Sequence, residues 1–215
     1  VIQVVALGVG LAALLLLTVV QADLLDKWRR SAPPGAPNRF VINIQPDQRD
    51  AVEDFFRREA GFEPHLQPMI RGRLVAINGR AVTADSYTED RARRLAEREF
   101  NLSFGSDLQE GNRVVQGRWH DASREPQFSV EKGVARTLGV ELGDTVAFEV
   151  AGRRVEAPVT SVRELEWDSM RVNFFFIASP GLLEGDPASL ITSFHLPPGQ
   201  AELGRRLVAA FPNLS

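Results

Sequence analysis

Cysteine is absent from all 215 residues, which excludes disulfides, thiolate metal sites and cysteine nucleophiles together. Lysine is nearly absent: Lys27 and Lys132 stand alone, so arginine carries almost all of the positive charge. There is no cationic excess either, because the formal net charge is −3. That leaves no electrostatic case for nucleic acid as a partner. Histidine is sparse, and His65, His120 and His195 are too widely spaced for a helical H-E-x-x-H metal site. No G-x-S-x-G nucleophile elbow occurs, so an esterase of the α/β-hydrolase type has no support.

Charge is missing altogether from one stretch. VIQVVALGVGLAALLLLTVVQA, residues 1–22, is apolar except for Gln3, Thr18 and Gln21. At about 1.5 Å per residue it reaches roughly 33 Å, enough for a hydrocarbon core of about 30 Å. A transmembrane helix is the leading reading. A secretory signal peptide is the rival, helped by the small residues near Ala22, but a basic n-region is lacking and the run exceeds the usual h-region. A buried core helix is the third, and it would seldom be apolar on every side for so long. DLLDKWRR then continues with no breaker before Pro33 and Pro34, with Leu24, Leu25 and Trp28 at helical spacing. A helix over residues 1–30 would therefore protrude from the membrane as a stalk, with Trp28 near its boundary. The chain begins with Val and not Met, and reads as a piece of a longer protein.

What remains has the composition of a folded protein, 44% apolar and 25% charged over the whole chain. SAPPGAPN (31–38) is a linker that no helix can cross. RFVINI (39–44) alternates as a strand, and PDQRDAVEDFFRREAG predicts an amphipathic helix with Ala51, Val52, Phe55 and Phe56 on one face. PMIRGRLVAINGRAV (68–82) reads as a strand pair turning at Asn78-Gly79, and REFNLSF (98–104) as a further strand. RVNFFFIAS (171–179) and SLITSFHL (189–196) read as strands. A helix over 200–211 carries Leu203, Leu207 and Phe211 on one stripe. Without the middle of the chain the order approaches a split β-α-β layout of α+β type. PNLS closes the sequence where one more strand would be expected.

ARTLGVELGDTV, residues 135–146, has the look of a ligand loop. A P-loop needs lysine and then serine or threonine after the second glycine, whereas Asp144 follows Gly143 here and would repel phosphate. A dinucleotide fingerprint must follow a strand, and this stretch follows a helix. The structural reading accounts for every residue: a helix capped by Ser129, with Glu131 in its first turn, a left-handed Gly139, buried Val140 and Leu142, and a turn at Gly143-Asp144. EWDSMRVNFFF (166–176) is the most unusual local composition. Asp168 and Arg171 could pair across a turn with Trp167 beneath, as a coupling or partner contact or as a plain turn into a core strand. No catalytic, cofactor-binding or metal-binding residue emerges.

The segments DLLDKWRR, NRFVINI, SVEKGVARTLGVELGDTVAF, VTSVRELEWDSMRVNFFFI and SLITSFHL are similar to the extracytoplasmic domain of FtsX-like, MacB-type ABC transporter permeases. This superfamily includes LolC and LolE, and within it the resemblance is closest to the YbbP type. The resemblance implies an α+β fold: a transmembrane and stalk helix (1–30), a linker (31–38), and a porter-like split β-α-β subdomain (39–104 plus 171–215). A smaller α+β subdomain is inserted at 105–170, as in the MacB periplasmic core. It implies a location in the bacterial inner membrane with the main domain in the periplasm. A separate cytoplasmic ATPase would be the partner, with a periplasmic esterase or lysophospholipase as a further one. Mechanotransmission through the stalk would serve export or extraction of hydrophobic, lipid-like substrates. The chain itself would be no enzyme and hold no cofactor, with Trp28, Trp167, Asp168 and Arg171 as possible contact residues. A membrane-anchored envelope hydrolase and a stand-alone periplasmic binding module are the alternatives.

Overall fold

The computed structural model describes residues 14–21, 35–197 and 199–215. Trp28 and most of the expected membrane helix, stalk and linker lie outside these residues. Residues 14–21 are helical and exposed, and among the described residues no helix is long and apolar enough to cross a membrane.

The strands are β1 (Arg39–Ile44), β2 (Gln67–Ile77), β3 (Arg80–Ala81), β4 (Glu99–Phe104) and β5 (Asn112–Gly117). They continue as β6 (Phe128–Glu131), β7 (Thr145–Val150), β8 (Arg153–Leu165), β9 (Phe176–Ala178) and β10 (Ser189–Phe194). The helices are α1 (Arg49–Glu59), α2 (Asp90–Glu97), α3 (Lys132–Leu138) and α4 (Ala201–Ala210). The chain is thus a mixed α/β fold.

Strand pairing closes on itself. β2 pairs with β4, β4 with β9, β9 with β6, β6 with β8, β8 with β7, and β7 returns to β2. The β4–β9 and β6–β8 pairs are parallel and the others antiparallel. A ring this small is filled by its own side chains. Phe100, Phe128, Phe148 and Phe176 fill it, each with 0% exposure. Their rings meet largely edge-on, as closely as 4.9 Å between the centroids of Phe148 and Phe176. Period-two alternation in β2 points Ile70, Leu74 and Ala76 inward and Arg71 and Arg73 outward. At Gly72 a Cβ would stand 2.6 Å from Leu102 Cδ1, so glycine lets β4 approach.

A second core lies beside the barrel. β10 sits between β1 and β2, antiparallel to both, which is the split β-α-β arrangement. Val52, Phe55 and Phe56 of α1 and Leu203 and Leu207 of α4 cover Val41, Ile44, Leu190 and Phe194. Ala51, expected on that face, is exposed. Gln67–Met69 of β2 pair with β10 while Ile70–Ile77 serve the barrel, so β2 is common to both layers. On the outer edge of β1, Ile42 and Ser215 exchange both backbone hydrogen bonds, at 2.9 and 3.4 Å.

Three local expectations need correction. Ser129 is no helix cap: it lies in β6, and Glu131 caps α3 by accepting from Gly133 N and Val134 N, both at 2.7 Å. Gly139 is left-handed as expected (φ 69°), and Val140 is buried, but Leu142 is 46% exposed. The run 171–179 is a strand only at Phe176–Ala178, because a side chain rather than a neighbouring strand takes the carbonyl of Phe174.

Candidate contact site

That side chain is Arg163, 0% exposed near the C-terminal end of β8. Its Nε donates to Ser129 Oγ at 2.9 Å and its Nη2 to the carbonyl of Phe174 at 2.9 Å, and Nη1 donates to Asn112 Oδ1. Burial pushes its pKa from the ordinary arginine range down to about 9, against the opposing pull of the Glu131 carboxylate. A guanidinium offers five donors in a rigid fork, which suits pinning an irregular backbone. Asn112 Nδ2 donates in turn to Asn173 Oδ1 at 2.9 Å. Segment 171–175 is thereby fastened to the barrel. Its Val172 and Phe174 pack with Ile177 against Met69 and Ile191 of the neighbouring sheet.

The turn before it is held to the loop that follows β4. Glu166 N donates to Gly111 O at 2.8 Å, and Ser169 N to Glu166 O at 3.1 Å. Met170 adopts a left-handed conformation (φ 53°) that is unusual for a side chain of its size. The result is three exposed apolar side chains on two adjoining loops: Leu108 (38%), Trp167 (55%) and Met170 (44%). Trp167 leans on Phe175 at 5.7 Å between centroids, so it is a rim residue and not buried beneath the turn. Arg171 does not pair with Asp168. Its Nη2 reaches Glu110 Oε1 at 2.7 Å across the two loops. A cleft of about 260 Å³ opens beside this ion pair, between Gln67 and Ser193 of the sheet and Gln109, Glu110, Arg171 and Val172 of the loops.

Trp167, Asp168 and Arg171 are therefore neighbours on one surface, and Leu108 and Glu110 join them unforeseen. Nothing in the sequence pairs the two loops. The signal that could have found the anchor is an arginine inside the apolar strand pattern V-T-S-V-R. The histidines are separate: His65 rims the cleft, His195 bonds Ala36 O at 2.8 Å, and His120 is buried. Among the described residues no cluster of three or more His, Asp or Glu side chains is placed to hold a metal ion. The site has apolar knobs, an ion pair and a shallow cleft.

No family model matches the chain. Sequence comparison nevertheless finds a relative among the ABC transporter permeases. The chain is 37% identical over 213 residues, 99% of its length, to the ABC transporter permease YbbP of Escherichia coli strain K12. It spans 25% of that relative's length. The likeness is thus to a segment of that permease. A solved domain of a permease protein from Porphyromonas gingivalis aligns with 80% of this chain and 82% of its own, at a TM-score of 0.43 and 11% identity.

Proposed function

We propose that this chain is the extracytoplasmic part of an ABC permease subunit, set in the bacterial inner membrane with its main body in the periplasm. It couples ATP hydrolysis by a separate cytoplasmic ATPase to movement of hydrophobic or lipid-like molecules in the envelope. The stalk over residues 1–30 transmits the motion. The porter-like layer around β1, β10, α1 and α4 and the barrel beside it are the bodies that are moved. The observation carrying this reading is the 37% identity over 99% of the chain to an ABC transporter permease. The pinned segment 171–175 supports it, because it is packed against both bodies and would pass displacement from one to the other.

Affinity purification of the full-length protein from membranes tests the reading. A nucleotide-binding subunit is expected to co-purify, and its ATPase rate to depend on the permease. A full-length protein with no such subunit, fully active as an isolated binder, would sink it. The same pull-down checks a small secreted esterase or lysophospholipase as second partner, the association the family resemblance implies.

A further inference from the structure

Trp119 and His120 follow β5 and clip the loop after β4 by two consecutive carbonyls. Trp119 Nε1 donates to Ser106 O at 2.7 Å, and the His120 Nε2–H donates to Gly105 O at 2.8 Å. Their rings stack at 4.0 Å between centroids, so the two grips act together. His120 is 3% exposed, and its Nδ1 is buried with no hydrogen-bond partner among the described residues. With Nε2 as the donor, Nδ1 is the bare nitrogen of a neutral imidazole. A second proton would put an N–H where no acceptor awaits it. The loop so clipped is the one that carries Leu108 and Glu110.

The geometry points to an acid-released latch: protonation of His120 frees the Trp119–His120 clip and loosens loop 105–111, and with it the Glu110–Arg171 rim of the contact site. The charges facing the ring are few. Burial, the largest influence, lowers its pKa below 6.5, the Gly105 carbonyl raises it, Arg163 from β8 lowers it, and Asp121 on its own segment raises it. The closed state therefore binds a proton more weakly than the open state, where the ring has its ordinary value. Closure is at full strength above pH 6.5 and is lost as the pH falls through the lowered value. Between those limits the open population grows by up to about tenfold per pH unit. The latch would let the contact site follow the acidity of its compartment.

The test is hydrogen exchange of the 215-residue chain between pH 7.5 and 5, read as protection factors that remove the intrinsic pH dependence. Residues 105–111 and 118–121 are expected to lose protection together as the pH falls, with β6–β8 unchanged. His120→Gln, whose amide can still donate to Gly105 O, should abolish the pH dependence. Asp121→Asn, an exposed change that spares the clip, should extend the loss of protection to lower pH before it levels off, and keeps the test decisive if the glutamine variant does not fold. Protection that stays constant to pH 5, or a loss of protection that Asp121→Asn leaves unchanged, overturns the proposal.

Discussion

Arg163 and Ser129 meet inside the barrel wall, where β8 and β6 run parallel, with Nε and Oγ 2.9 Å apart and both residues 0% exposed. Ser161 Oγ donates to the same Ser129 oxygen at 2.6 Å. The guanidinium is the hub, because its other nitrogens hold Asn112 Oδ1 and the carbonyl of Phe174. Arg163→Met fits the stem but leaves those acceptors buried and bare. It should cost about 3–5 kcal/mol, whereas Ser129→Ala should cost about 1 kcal/mol. Urea unfolding of the two variants measures the contrast; equal midpoints would mean the carbonyls find other partners.

Gly117 ends β5 with φ 71°, and an added Cβ would lie 2.1 Å from the Thr160 carbonyl oxygen. Arg118 N donates to that same oxygen at 3.0 Å, so the backbone cannot retreat without losing the bond. Gly117→Ala should destabilise by about 3 kcal/mol or more. Gly79 is also left-handed, at φ 74°, but has nothing within 4 Å. Gly79→Ala should cost only about 1–2 kcal/mol. Thermal unfolding of the pair separates close approach from conformational strain alone.

Thr192 is 0% exposed on the face of β10 that meets α1 and α4, and its hydroxyl has no partner among the described residues. Thr192→Val keeps the shape and removes a desolvated polar atom. Stability should rise by about 1 kcal/mol. A loss of that size on calorimetry would reveal a partner for the hydroxyl, such as an ordered water.

The elements legible in the sequence were those whose signal is local. Alternation gave β1, β2, β4 and β10; Asn78 and Gly79, both with positive φ, made the hairpin their dipeptide announces. The helix stop at Gly139 was equally local. Ring closure was not legible, because β2 meets β7, and β4 meets β9, across about 70 residues of intervening chain. The segment 171–175 misled for a related reason. R-V-N-F-F-F has strand composition, but the Arg163 guanidinium from β8 takes the carbonyl of Phe174, and strand-type bonding begins with Glu131 N on the carbonyl of Phe175. The same limit hid half of the contact site: Trp167 and Arg171 stand out by composition, whereas Glu110 matters only because two loops are folded together.

Trp167 and Arg171 permit the sharpest separation of function from stability. Trp167 is 55% exposed, and the side chains of Arg171 and Glu110 are 40% and 75% exposed, so their ion pair is screened by water. Trp167→Ala and Arg171→Ala should each shift unfolding by no more than about 0.5 kcal/mol. If the two loops form a coupling surface, both changes in the full-length permease should lower substrate-stimulated ATPase activity of the assembled complex. Arg205→Ala is the control, since Arg205 makes a comparably exposed pair with Glu202 on α4. Activity lost equally in all three variants, or in none, would remove the loops 105–111 and 166–175 from the coupling path.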